Sequence, residues 1–137
     1  MNRKKYHFWL WMLLLWLIVI FGHSAMPASV SREESLGILA PLQKIFPWLT
    51  HTLLRKLGHF SEFAVLGVFL TGAFWRRGKF RFPQPLCSAF VIAFLDETLQ
   101  LFVPGRSGEI RDVWIDLSGA LCGIVLAWIC FRLRKGK

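Results

Sequence analysis

His59 and Glu62 stand three residues apart, Glu97 and Gln100 stand three apart, and Asp112 and Asp116 stand four apart. On helices each of these pairs shares a face. Asp96, four before Gln100, borders the same face as Glu97 and Gln100. One imidazole among several carboxylates supports three kinds of chemistry. The first is general acid–base work, with Glu62 or Glu97 paired to His59 and Gln100 orienting. The second is a divalent metal held by a set drawn from His59, Glu62, Glu97 and Asp112. That composition resembles carboxylate-rich metal sites, although a second histidine would strengthen the signal, and the sequence requires no metal. The third is recognition of a charged lipid headgroup. Arg55, Lys56 and Arg106 would take phosphate, while the carboxylates, Asp112 and Asp116 among them, would take amines, hydroxyls or a cation. No Ser-His-Asp order, phosphate-cradling glycine loop or cysteine nucleophile motif accompanies these residues.

Each residue also has a plainer role. Asp112 is suited to capping a helix and to the positive helix end. His59 alone fits a satisfied histidine in a bundle. Arg55 and Lys56 fit interface anchors that snorkel, and Arg106 and Arg111 fit loop charges or salt-bridge partners. Glu62 and Glu97 resist such explanations, because a carboxylate in an apolar setting needs a partner or a proton.

The elements that position these groups are apolar. The 137 residues suit a single domain, residues 1–137. Seven Trp and thirteen Phe are more bulk than a soluble core of this size would bury. Four segments, about 6–22, 56–75, 86–103 and 113–133, approach the ~20 residues with which a helix crosses a bilayer. The first follows Arg3, Lys4 and Lys5 and has the opening of a signal peptide. Its long Trp-rich core and the poor cleavage site in HSAMPA predict an uncleaved helix.

The net charge of +9 does not point to nucleic acid, because the basic residues lie in short clusters between apolar runs. Arg3, Lys4 and Lys5, then Arg76, Arg77, Lys79 and Arg81, then Arg132, Arg134, Lys135 and Lys137 fall on one side, with no acid among them. All eight Asp and Glu fall on the other. This asymmetry predicts cytoplasmic termini and two outer loops. The long outer loop, 23–55, carries an apolar stretch broken by Pro41 and Pro47, which predicts an interfacial helix or a lid. The short one, Pro104 to Gly108, is rich in turn residues. Gly119 and Gly123, beside Ser118 and Cys122, suit close helix contact, as do Gly67 and Gly72. Cys87, Cys122 and Cys130 lack metal-like spacing and suit packing.

With this topology His59 and Glu62 lie in the first turns of the second helix. Asp96, Glu97 and Gln100 lie in the last turns of the third, and Asp112 and Asp116 near the start of the fourth. Three helices thus aim polar side chains at the outer leaflet at similar depth. Such residues are costly in lipid and mark functional sites. A proton or ion path fits less well, because the inner halves of these helices carry no acid or histidine to continue a relay.

Three motifs carry a family resemblance: RKxxHFxEF from Arg55 to Phe63, DExxQxFVPGR from Asp96 to Arg106, and RDxxxxxxGA from Arg111 to Ala120. Together they resemble the VanZ-like family of bacterial membrane proteins, named for a teicoplanin-resistance protein. The resemblance covers the chain from Arg55 to the end of the fourth helix. It implies a multi-pass plasma-membrane protein whose signature is the His, Glu, Gln, Arg and Asp positions, and a link to resistance against teicoplanin-type lipoglycopeptides. The family often has Tyr where this chain has Phe63 and Asn where it has Asp116.

The expected fold is all-α, four transmembrane helices with both termini cytoplasmic. Two functional expectations stand side by side. In one, the outer-leaflet site binds a lipid or lipid-linked envelope precursor, with modification of that ligand left open. In the other, the protein is not a catalyst and shields the envelope target or hinders lipoglycopeptide anchoring. Whether it is an enzyme, its oligomeric state and its exact ligand are left open by the sequence.

Overall fold

A computed structural model describes residues 3–75 and 82–135. The described chain forms five helices, α1 (Arg3–Ser24), α2 (Ala28–Gln43), α3 (His51–Phe74), α4 (Pro83–Gln100) and α5 (Ile110–Lys135), and no strand. Segments His7–Ser24, His51–Phe74 and Ile110–Arg134 are long and apolar enough to cross a membrane. α4 has 18 residues, about 27 Å of helix, and carries Asp96 and Glu97 in its last turns. The basic positions Arg76, Arg77, Lys79, Arg81 and Lys137 lie outside the described residues.

Local chemistry sets the helix ends. Thr50 accepts a hydrogen bond from the Leu53 N–H at 3.2 Å and starts α3 at His51, five residues before the expected boundary. Arg55 therefore projects from a helix rather than from the loop, as Lys56 does. Pro83 and Pro85 open α4, where a missing N–H costs nothing. α4 stops at Gln100, and Leu101 to Val103 wind into tighter turns onto the carbonyls of Thr98, Leu99 and Gln100. α2 covers Leu36 to Leu42 of the loop's apolar stretch and ends two residues after Pro41, while Ile45 to Leu49 follow outside it. Most of its side chains are exposed, with Ser31 and Leu39 buried.

α3 and α5 form the central pair and run parallel. A Cβ on Gly119 would strike the Phe60 carbonyl, one on Gly123 the Ala64 carbonyl, and one on Gly67 the Ala120 carbonyl. The two backbones touch there, as small residues permit in an apolar medium. Gly72 has a different neighbour, the Trp9 ring of α1. α1 runs antiparallel to α3. Trp9 packs at the end of α3, and the Trp16 indole donates to the Glu62 carbonyl at 2.8 Å near its middle.

The exterior is apolar and the interior partly polar, the reverse of a soluble domain. Trp11, Ile18, Val91, Phe94, Leu126 and Leu133 are exposed. Gln100, Asp96 and Asp116 rank with Phe63, Leu66, Ile20 and Ile124 among the largest fully buried side chains. The polar groups collect where α1 and α4 end and α3 and α5 begin. At the opposite end Trp9, Phe69 and Phe131 close the bundle with ring packing.

Candidate functional site

Four helices supply the site. α3 brings His59, α4 brings Asp96, Glu97 and Gln100, α5 brings Asp116, and the end of α1 brings Ser24. Asp96 and Asp116 are 0% exposed, Gln100 1%, His59 4% and Glu97 5%. One ligand-type atom from each of His59, Asp96, Glu97 and Asp116 can be chosen so that all four lie within 4.8 Å of one another. His59 Nδ1 stands 3.4 Å from Asp116 Oδ1, an ion-pair distance whose geometry is not that of a hydrogen bond.

Gln100 organises the α4 side. Its amide nitrogen lies 3.2 Å from Asp96 Oδ2, 3.3 Å from Glu97 Oε1 and 3.5 Å from Ser24 Oγ. It thus has more acceptors than N–H bonds. Glu97 Oε2 accepts the Glu109 backbone N–H at 2.8 Å, so both Glu97 oxygens have partners. The opposite holds across the site. His59 Nδ1, Asp96 Oδ1 and both oxygens of Asp116 are buried without a hydrogen-bond partner among the described residues.

The outer positions pair differently from the centre. Glu62 lies outside the buried quartet and meets His23 Nδ1 of α1 at 2.9 Å. The His23 and His59 rings stack with centroids 6.5 Å apart. Asp112 does not cap its own helix. Its carboxylate takes Lys56 at 2.9 Å and Arg55 at 3.5 Å, linking α5 to α3. Arg55 and Lys56 keep 29% and 30% of their side chains exposed. Arg106 donates to the carbonyls of Met26 at 3.1 Å and His23 at 3.0 Å, stitching the short loop to the end of α1. Burial, and then the nearby charge of Arg55, lower the Arg106 pKa. A guanidinium remains charged at neutral pH even so.

The short loop holds this end closed. The Ala28 N–H donates to the Pro104 carbonyl at 3.2 Å, and Gly105 turns beside Ala28 with φ of 76°. That positive φ is where glycine is needed.

The expected residues therefore converge, with two exchanges of role. The metal-type set is His59, Asp96, Glu97 and Asp116. Of the set expected from sequence, Glu62 and Asp112 are engaged with His23 and with Arg55 and Lys56 instead. The acid that faces His59 is Asp116 rather than Glu62 or Glu97. His23 and Ser24 carry no motif. Their position in the last turn of the first helix, at the same end as the other polar groups, is the signal that points to them.

The family described as VanZ/LLP1 matches residues 8–131. No curated protein and no solved structure matches the chain.

Proposed function

The chain belongs to the VanZ/LLP1 family, and from that premise we propose that it is a multi-pass protein of the bacterial plasma membrane that binds the phosphate head of a lipid or lipid-linked envelope precursor. In this reading α1, α3, α4 and α5 all cross the bilayer and α2 lies on its outer surface. Both termini are cytoplasmic. The alternating helix directions and the segregation of Lys and Arg support that topology.

The observation that carries the reading is the convergence of buried polar groups at one end of the bundle, with Arg55 and Lys56 beside them at the same end. Asp112 engages one donor nitrogen of each cation. An ammonium has three N–H donors and a guanidinium five, so both keep donors for a phosphate. Arg106 is occupied by carbonyls and contributes mainly by fixing the loop. The interior acids then take hydroxyls, amines or a cation.

Co-purification of a phosphate-headed lipid with the full chain tests this reading, and mass-spectrometric profiles of envelope lipids from cells with and without the protein test whether the bound lipid is also modified. A binding protein that modifies its ligand leaves a new or depleted lipid species. A second reading draws on the internal bonding of Glu62 and Glu97, which occupies both candidate acids. There the protein shields the envelope target from teicoplanin-type lipoglycopeptides without chemistry. Unchanged lipids with altered lipoglycopeptide binding would favour that alternative.

A further inference from the structure

We propose that His59, Asp96, Glu97 and Asp116 hold one divalent first-row transition-metal ion between α3, α4 and α5. This goes beyond headgroup binding and does not depend on it.

Geometry is the first support. The four candidate atoms lie within 4.8 Å of one another. An ion with bonds of about 2.0–2.6 Å holds donors on opposite sides about 4–5 Å apart. Only small side-chain movements separate this arrangement from a coordination sphere.

Unmet bonding is the second and independent support. Asp116 is fully buried, and neither of its oxygens has a hydrogen-bond donor. Asp96 Oδ1 and His59 Nδ1 are buried without a hydrogen bond as well, His59 Nδ1 having only the 3.4 Å ion-pair contact with Asp116 Oδ1. Each such group costs about 1–3 kcal/mol, more when charged. These orphaned atoms belong to three of the four residues of the quartet, on three different helices. Asp96 Oδ2 and Glu97 Oε1 are held by Gln100 and Glu97 Oε2 by the Glu109 N–H, and each carboxylate oxygen keeps a second lone pair. Metal-ligating carboxylates are commonly steadied by such outer partners.

Charge balance is the third. Three carboxylates meet one imidazole, while the nearby cations meet other groups: Arg55 and Lys56 contact Asp112, and Arg106 contacts carbonyls. A dication offsets two of the three negative charges. A proton shared by His59 and Asp116 lowers the charge but brings no donor to Asp96 Oδ1. One nitrogen and three carboxylate oxygens suit Mn2+, Fe2+ or Zn2+ better than the all-oxygen preference of Ca2+.

The test uses the full chain purified in detergent without added lipid, with Mn2+ alone as the probe. Mn2+ has little affinity for the free thiols of Cys87, Cys122 and Cys130. Titration followed by electron paramagnetic resonance should give one saturable ion per chain. Protein with 15N-labelled histidine should show coupling of that ion to a single histidine nitrogen. Asp116→Asn should weaken binding at least about tenfold, since even outer-shell changes cost 10–100-fold. His59→Gln and Asp96→Asn serve as parallel variants, each scored only where gel filtration and circular dichroism show folded protein. Glu62→Gln and a double Arg55→Ala, Lys56→Ala variant should keep full metal stoichiometry. Absence of saturable binding, absence of nitrogen coupling, or equal binding by folded Asp116→Asn overturns the proposal. The double variant separates the readings, because lost lipid binding with retained metal leaves this site intact.

Discussion

Gln100 illustrates what one side chain decides. Its amide reaches Asp96, Glu97 and Ser24, and so connects α4 to itself and to α1. Gln100→Leu keeps the approximate volume and removes the donors, leaving two buried carboxylates under-bonded. The expected cost is about 1–3 kcal/mol, read as a lower thermal midpoint in detergent. Asp112→Asn acts in the other direction on function. Asp112 is buried while its partners are part-exposed, so its loss should cost about 1–3 kcal/mol. It frees Arg55 and Lys56, and anionic-lipid binding measured on vesicles should strengthen. Spacing alone made His59, Glu97 and Gln100 legible, since residues three apart share a helical face. It did not make legible which acids are central. Asp112 and Asp116 share a face, and what separates them is height along the helix, which spacing does not rank: Asp116, one turn deeper, faces His59, while Asp112 at the helix start meets Lys56. The end of the first helix points to His23, but its pairing is not legible, because its partner Glu62 is 39 residues away in sequence.

The α3–α5 pair is the element on which the site depends, because it fixes His59 opposite Asp116. Its backbone contact leaves no room for side chains at Gly119 and Gly123. Gly123→Val should force the helices apart, at a cost of about 1–3 kcal/mol or more, and reduce the yield of folded protein on gel filtration. Gly58→Ala on α3 is the control: a Cβ there meets nothing within 4 Å, and the variant should fold normally. The pairing was foreseeable from small residues four apart on the fourth apolar segment. The partner of Gly72 was not, because nothing in the sequence ties it to Trp9 of α1. Helix edges were approximate for a similar reason. Hydropathy marks where apolar residues stop, whereas α3 begins at the Thr50 cap, and α4 ends where the carbonyls of its last turn are tightened.

For the molecule as a whole, the inside-out distribution of polarity is the physical fact to explain. Apolar side chains cover the outer flanks of α1, α4 and α5 while Asp96, Gln100 and Asp116 fill part of the interior. A bilayer accounts for that distribution, since lipid accepts Trp11 and Phe94 and excludes carboxylates. The proposed topology makes a labelling prediction. In a background with the three cysteines replaced, Ser107→Cys should react with a membrane-impermeant maleimide on intact spheroplasts, and Arg134→Cys only after lysis. The reverse pattern would invert the outer face. The measurement that bears most directly on the proposed function is native mass spectrometry of the full chain with a phosphate-headed lipid. Wild type should retain the lipid. The double Arg55→Ala, Lys56→Ala variant should lose about tenfold or more in affinity, as expected for missing charge-assisted hydrogen bonds. A double Arg132→Ala, Arg134→Ala variant at the other end should bind as wild type does. Equal retention by the Arg55 and Lys56 variant, or no retention by wild type, would contradict the account.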